Sequence, residues 1–468
     1  MKKNFLIIIS FGVIALLISA CATTPYSRPS NVAPSTLFRD VQSGDTAASL
    51  ATTAVTDFYN DPLLQKLIKA ALDSNLTVRV ALNRLDQASQ YVKESNAALL
   101  PTLSLGVNGS LSNVSKYGNS TYPVNPPIKD INLTAAASWE VDIWGRLSHA
   151  KKEQIENYML QQATLRATRT QIVANVASTY YQLITLDKQK EVTLRNIDSY
   201  TKYLETTKSL KKSAQVTEVA VLQAKAQLAS AQAYLPQIEA SIATNENYLC
   251  ALLGKAPATI SRSSDIDLTL FHNETLGIGI PAQLLANRPD VQEAEYTLRS
   301  AHEAFNVAKA AMYPKLALTA DGGTDAKTIA NWFNLPGSFF WSTVAGLTQP
   351  IFNGRALKTQ KEIARLQEDA SLLNFKQTLI NAGYEVSNAL ATIRYTTQQA
   401  NYQKEQVDAL KKAYEYSQEL LVNGYANYLE VLSAQNSVLS SELSLYNTYN
   451  TIVQQKITLY RALGGGWR

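Results

Sequence analysis

Four short strings recur in order at a nearly constant distance along the chain. AALLPTLSL at 97–105 returns as AAMYPKLAL at 310–318, an offset of 213 with five of nine positions identical. GR at 145–146 returns at 354–355, VLQA at 221–224 returns as VLSA at 431–434, and Leu253-Gly254 returns as Leu463-Gly464, with offsets of 209, 210 and 210. One such match could be chance, but four in register mark an internal tandem duplication. The chain therefore contains two copies of a unit of roughly 210 residues, and any fold assigned to it must be built twice.

Each copy reads the same way. Short helices open it: Asp61 and Pro62 stand as N-cap and first helical residue of DPLLQKLIKAALDSN, and 288–312 is the later counterpart. Pro101 and Pro314 end these helices, because proline cannot continue them, and the hydrophobic period changes from 3.6 to 2. Leu103, Leu105, Val107 and Leu111 alternate with Thr102, Ser104, Asn108 and Ser110. A second stretch sets Leu133, Ala135, Ala137, Trp139 and Val141 against Asn132, Thr134, Ser138 and Glu140. In the second copy Leu316, Leu318 and Ala320 alternate with Lys315, Thr319 and Asp321, and a fourth strand is expected over 338–352 with Phe339, Trp341, Ala345 and Leu347 on one face. A long helical leg follows each strand pair, at 147–212 and 356–422, with Gly383 the one breaker in the second of these. Short turns return the chain through 218–253 and 428–463. A helix of 66 residues extends about 100 Å.

Composition agrees with a wall that has two kinds of surface. Charged residues make up 17%, hydrophobic residues 46% with 24 Tyr among them, and mean hydropathy is −0.13. The single long apolar run, at 5–20, follows Lys2 and Lys3, which is the pattern of an export signal. It ends in ISAC, and Cys21 after small residues resembles a bacterial lipobox cysteine, which would carry a covalent N-acyl diacylglycerol; no other cofactor is expected. Ala22 follows rather than the Asp that retains many such lipoproteins in the inner membrane, so the resemblance implies the outer membrane. Loss of 1–20 lowers the net charge from +5 to +3, with the basic residues scattered, so no nucleic-acid partner is expected. The expected divisions are a signal at 1–20, a lipidated arm at 21–56, a first repeat at 57–254, a linker at 255–280 and a second repeat at 281–468.

Four strands cannot close a barrel, and an open sheet edge in lipid leaves backbone groups unsatisfied at several kcal/mol each. Copies must share one barrel. Three would give twelve strands, above the roughly eight at which single-chain barrels begin. The expected fold class is an α+β membrane protein, a trimeric 12-stranded β-barrel with four strands per protomer, continued by a long α-helical coiled-coil barrel.

The strings FYNDPLLQKLIKAAL, SWEVDIWGRL, IPAQLLANRPDVQEAE, AAMYPKLALTA, QPIFNGR, NYLEVLSAQ and LYRALGGGW span nearly all of the chain after the signal. In these the sequence resembles the outer-membrane factors of tripartite efflux systems, of the lipidated OprM, CusC and NodT type within the TolC superfamily. The resemblance implies a homotrimer in the outer membrane with its helices in the periplasm. It also implies a periplasmic adaptor, an inner-membrane pump of the resistance-nodulation-division type, and opening by an iris-like motion of the helix tips. Family members narrow the periplasmic end with a pattern like YLxxLDAQ, and YLEVLSAQ at 428–435 departs from it. Leu429 matches the apolar ring, Ser433 stands where Asp is usual, and Glu430 three residues earlier is the candidate to supply the charge. Leu420 and Leu421 occupy the stretch where the family places a basic partner. Val216, Thr217, Asn423, Gly424 and Tyr425 are the expected adaptor contacts.

Other classes explain less. His149, His272 and His302 lack metal-ligand spacing, LGGGW lacks a strand-to-helix phosphate-loop context, and no G-x-S-x-G occurs, so no enzyme and no metal site are expected. A periplasmic coiled-coil adaptor would not need four alternating strands. A duct for type I protein secretion shares the architecture and stays an alternative at this point.

Overall fold

A computed structural model describes residues 25–29, 53–113, 128–264 and 287–467. The export signal, Cys21, His272, most of the lipidated arm and most of the linker lie outside the described residues. In chain order the elements are α1 (Val55–Phe58), α2 (Pro62–Ser74), α3 (Leu76–Ala97), β1 (Thr102–Ser112), β2 (Ile128–Val141), α4 (Arg146–Lys212), α5 (Glu218–Leu252), α6 (Pro289–Ala310), β3 (Lys315–Ala326), β4 (Phe339–Thr348), α7 (Ala356–Val422) and α8 (Tyr428–Ala462). The chain forms two compact units. One gathers Met1–Ser30, Arg84–Gln161 and Ala294–Phe375, and the other gathers Asn31–Asn83, Gln162–Glu293 and Lys376–Arg468. Among the described residues no helix is long and apolar enough to cross a membrane.

The first unit holds an antiparallel four-stranded meander in the order β1-β2-β3-β4. Direct cross-strand partners share a face, so the register sorts the side chains. Leu105 faces Ala135, Val107 faces Leu133, Trp139 faces Leu318, Leu318 faces Ala345 and Leu316 faces Leu347, which makes one face apolar. The other face carries Asn108 opposite Asn132, joined at 3.2 Å, and Asp321 opposite Ser342. The apolar face is bare: Leu103 is 80% exposed and Trp341 71%. Among the described residues β1 pairs only with β2 and β4 only with β3, so the sheet has two open edges.

Two strand ends differ from the alternation pattern. β4 stops at Thr348 rather than Phe352, because its last partner is Lys315 and β3 begins there, after Pro314. Ile351 and Phe352 are left in the connection to α7, about 90% exposed. β3 runs on to Ala326 through Gly322-Gly323, a pair that reads as a turn. Gly323 is required there, since a Cβ would lie 1.8 Å from the Leu133 carbonyl oxygen.

The strand-to-helix junction of the first copy is tightly tied. Arg146 grips Glu140 through Nε and Nη2, both at 2.8 Å, and Lys315 reaches the same carboxylate at 2.7 Å. Asp142 accepts the backbone N–H groups of Leu147 and Ser148 at 2.9 and 2.8 Å, capping α4. Trp144 donates to the Pro314 carbonyl at 2.7 Å and stacks on Tyr313.

In the second unit the duplication appears as a repeated latch. Ser74 and Asn75, at the end of α2, donate to the Leu253 and Leu252 carbonyls at 2.6 and 2.8 Å. In the later copy Arg288 donates to Ala462 at 2.8 Å and Trp467 to Asn287 at 3.1 Å. The recurring Leu-Gly follows from this contact. Gly254 and Gly464 have φ of +63° and +98°, and a Cβ on Gly464 would meet the Asn287 backbone at 2.5 Å. Asp61 caps α2 through the Leu63 N–H at 2.8 Å with Pro62 at the first position, as its sequence indicates.

Candidate gate at the helix tips

The two hairpin tips are built alike. α7 ends in a turn where Gly424 N–H bonds Leu421 O at 3.1 Å and Tyr425 N–H bonds Leu420 O at 2.9 Å. This is the paired 5→2 and 6→1 closure of a Schellman motif, and Gly424 takes its left-handed position at φ +79°. α4 ends in the same way, with Ala214 N–H to Lys211 O and Gln215 N–H to Leu210 O, both 2.9 Å. There the left-handed position, at φ +58°, belongs to Ala214. The expected contact residues Thr217, Asn423, Gly424 and Tyr425 are exposed, and Val216 is half-buried.

At the start of α8, Asn427 accepts the N–H groups of Leu429 and Glu430 at 2.9 and 3.1 Å, while its amide donates to the Glu430 carboxylate at 3.0 Å. Glu430 thus sits in a capping arrangement, with its negative charge at a helix N-terminus. At 100° per residue it is turned about 60° from Ser433. Leu429 and Ser433 do share a face, one turn apart, and both are exposed. That stripe continues through Ser440, Ser444, Asn447 and Thr451, all exposed and all uncharged.

The opposite face of α8 turns into the unit. Val431 and Leu432 are buried against Tyr200, Tyr203 and Leu204 of α4 and Ala224 and Ala231 of α5. Burial of such side chains stabilises the packing by about 1.5–3 kcal/mol each. Polar ties run beside this core. Tyr203 donates its hydroxyl to the Tyr428 carbonyl at 2.7 Å, and Tyr200 donates to the Asn436 side chain at 2.5 Å. Burial pushes both phenols up to about 12. Two turns further along α8, the buried Glu442 accepts from Arg195 of α4 at 2.9 and 3.1 Å and pairs with Lys411 of α7 at 2.8 Å. Gln435 is 1% exposed, and neither atom of its amide has a partner among the described residues.

Spacing along the chain did not point to these ties. Tyr203 and Tyr428 are 225 residues apart, Arg195 and Glu442 247. One signal was present: Glu442 is the only charge between Glu430 and Lys456. A helix that keeps a single carboxylate in 25 positions holds a partner for it elsewhere.

A sheet with one apolar and one polar face, joined to paired helical hairpins of which α8 carries an uncharged polar stripe, is the build of an outer-membrane channel. The chain belongs to the outer membrane efflux protein family, which it matches over residues 67–255 and 280–465. The two matched blocks correspond to the two copies of the duplication. The solvent efflux pump outer membrane protein SrpC of Pseudomonas putida is 29% identical over 416 residues, 88% of this chain and 87% of that protein. The cation efflux system protein CusC of Escherichia coli K12 is 28% identical over 459 residues, 97% of this chain and 98% of the relative. Among solved structures, the open state of the Neisseria gonorrhoeae MtrE outer membrane channel aligns with a TM-score of 0.83 and 25% identity, covering 96% of this chain and 98% of that one. The protein is an outer-membrane efflux channel component.

Proposed function

We propose that the protein is the exit duct of a tripartite efflux pump, a homotrimer that conducts small toxic compounds passively from a periplasmic adaptor and an inner-membrane resistance-nodulation-division transporter to the exterior. The observation that carries this reading is the open four-stranded sheet with its bare apolar face. In hydrocarbon its two edges need partners, and three copies close twelve strands around the polar face. Cys21, acylated with diacylglycerol, anchors each copy in the outer membrane. No catalytic step is involved.

The periplasmic end is closed by the α8 tip. Leu429 forms the narrowest ring, Ser433 follows it, and Glu430 reinforces the helix start rather than lining the ring. The lock that the sequence lacks at Leu420 and Leu421 is supplied inside each copy by Tyr203 to Tyr428, Tyr200 to Asn436 and the Arg195–Glu442–Lys411 triad. Gln435 weakens that arrangement, because a buried amide without partners costs about 1–3 kcal/mol. Such a cost narrows the gap to an open packing. Val216, Thr217, Asn423, Gly424 and Tyr425 present the adaptor-facing surface.

The test is single-channel conductance of the purified protein in planar bilayers, together with drug, detergent and metal-salt susceptibility of a deletion strain. Leu429→Ala is expected to raise the closed-state conductance, and the deletion strain to become sensitive. Unchanged conductance would sink the Leu429 ring, and loss of an exported protein without any change in susceptibility would favour secretion instead.

A further inference from the structure

The apolar face of the sheet is not uniform. Between Trp139 and Leu318, which face each other across β2 and β3, and the next row of partners lies a groove of about 410 Å³. Its floor is made of small residues, Ala137 opposite Ala320 and Ala320 opposite Thr343, with Ala345 beside Leu318. Trp139 forms a fixed wall, because its indole N–H is tied to the Leu99 carbonyl at 2.9 Å. From Leu318 to Gly322 the small-residue track runs about 13 Å along β3. That matches one leaflet's acyl chain, half of a hydrocarbon core about 30 Å thick.

The N-terminal arm points toward this groove. Tyr26 packs edge-on against His302 of α6, with Arg299 5.1 Å above its ring. Two residues later Arg28 donates from Nε to Glu295 at 2.9 Å and pairs through Nη2 with the other carboxylate oxygen. Glu295 also accepts from Arg299 at 2.7 Å. Burial would raise the Glu295 carboxyl, but the bonds donated by Arg28 and Arg299 hold it below the usual range. With Tyr26 at residue 302 of α6 and Arg28 at residue 295, the arm runs antiparallel to α6. The described part of the arm thus comes onto α6 from the side of Ala310, the end that leads to β3 at Lys315. From His302 to Ala310 the helix rises about 12 Å, and the five residues back to Cys21 span up to about 17 Å.

We infer that the groove between Trp139 and Leu318 is the seat of one of the chain's own Cys21 acyl chains, delivered there by the Tyr26–Arg28 clasp. The occupant is chosen by reach and by length: five residues back from Tyr26 are enough chain to reach the base of β3, and the track accepts one chain of a leaflet. The seat rests on the proposed acylation of Cys21. Seated this way, the acyl group fills a dent in the lipid face of the sheet that bulk lipid would have to fill at random. It also ties the arm, α6 and β3 into one assembly unit.

The experiment uses the full chain in cells fed an alkyne-bearing palmitate. The photoreactive p-benzoyl-phenylalanine replaces Leu318 or Thr343 at the groove, or Leu105 on the same apolar face of β1 as reference. After irradiation, digestion and mass spectrometry, Leu318 and Thr343 are expected to yield links to the acylated N-terminal peptide about fivefold more often than Leu105. Arg28→Ala is expected to bring that ratio close to one with acylation retained, and Ala320→Phe, which fills the floor, to do the same. Equal links at all three positions, or links to free phospholipid alone, would overturn the seat while leaving acylation standing. An N-terminal peptide without an acyl group overturns both.

Discussion

In the proposed lock, Glu442 acts from well inside α8 rather than from the tip itself. Its carboxylate is 5% exposed, while Arg195 and Lys411 are about half exposed, so solvent screens part of the attraction. Glu442→Gln keeps an acceptor and removes the charge. It should cost about 1 kcal/mol of stability and raise basal conductance, read by urea titration and in planar bilayers. A variant whose conductance matches the parent would remove Glu442 from the lock. The tyrosines make a pH prediction with a definite sign. Tyr200 and Tyr203 titrate near 12 when folded, against about 10 when unfolded. Their neutral, donating form therefore adds stability that is complete below about pH 10 and lost as pH rises through the folded value. Closed-state conductance should stay flat from about pH 6 to 9 and rise only above about pH 10. An upturn near neutral pH would assign the lock to other groups.

At the scale of elements, the two tips offer a matched comparison. The same Schellman closure holds glycine at 424 and alanine at 214. A left-handed alanine costs about 1 kcal/mol. Ala214→Gly is thus expected to raise the midpoint of thermal unfolding, and Gly424→Ala to lower it by a similar amount, both measurable by circular dichroism. The elements themselves were largely legible. Proline stops, period-2 alternation and long legs with few breakers (Gly383 in α7, Pro236 in α5) located four strands and two long hairpins, because each signal is local. β3 beyond Asp321 was hidden by Gly322-Gly323, where the need for close approach to Leu133 outweighs turn propensity. β4 was read too long because its end is set by where β3 starts, not by its own residues. At the candidate gate, Leu429 and Ser433 were picked out by the resemblance of YLEVLSAQ to the family pattern, not by spacing. Their hydrogen-bonded neighbours were not, since Tyr200, Tyr203 and Arg195 lie in the other copy of the duplication. Glu430 was singled out because it lies three residues before Ser433 and could supply the charge missing there; its bond with Asn427 at the helix start was not legible from that spacing.

For the whole molecule, the decisive asymmetry is between the faces of the sheet. Leu105 stands on the apolar face and Ser104 on the other. Leu105→Arg would set a charge against lipid at a cost of about 2–4 kcal/mol near the midplane. It should lower the yield of heat-modifiable oligomer in the outer membrane. Ser104→Arg should leave that yield unchanged and alter ion selectivity of the channel. Equal damage from both would mean that the polar face is not in water.

The junction at Glu140, Asp142, Trp144 and Arg146 also has a mechanical meaning. α4 runs over 67 residues from Arg146 to Lys212, and an unbent helix of that length would extend about 100 Å. A rotation of one degree about its base sweeps the far end through roughly 2 Å, which is more than the play in a hydrogen bond. Five hydrogen bonds, the Lys315–Glu140 ion pair and a stacked ring pair at that base therefore fix the direction in which α4 leaves the sheet, and the longer the helix, the more each of them counts.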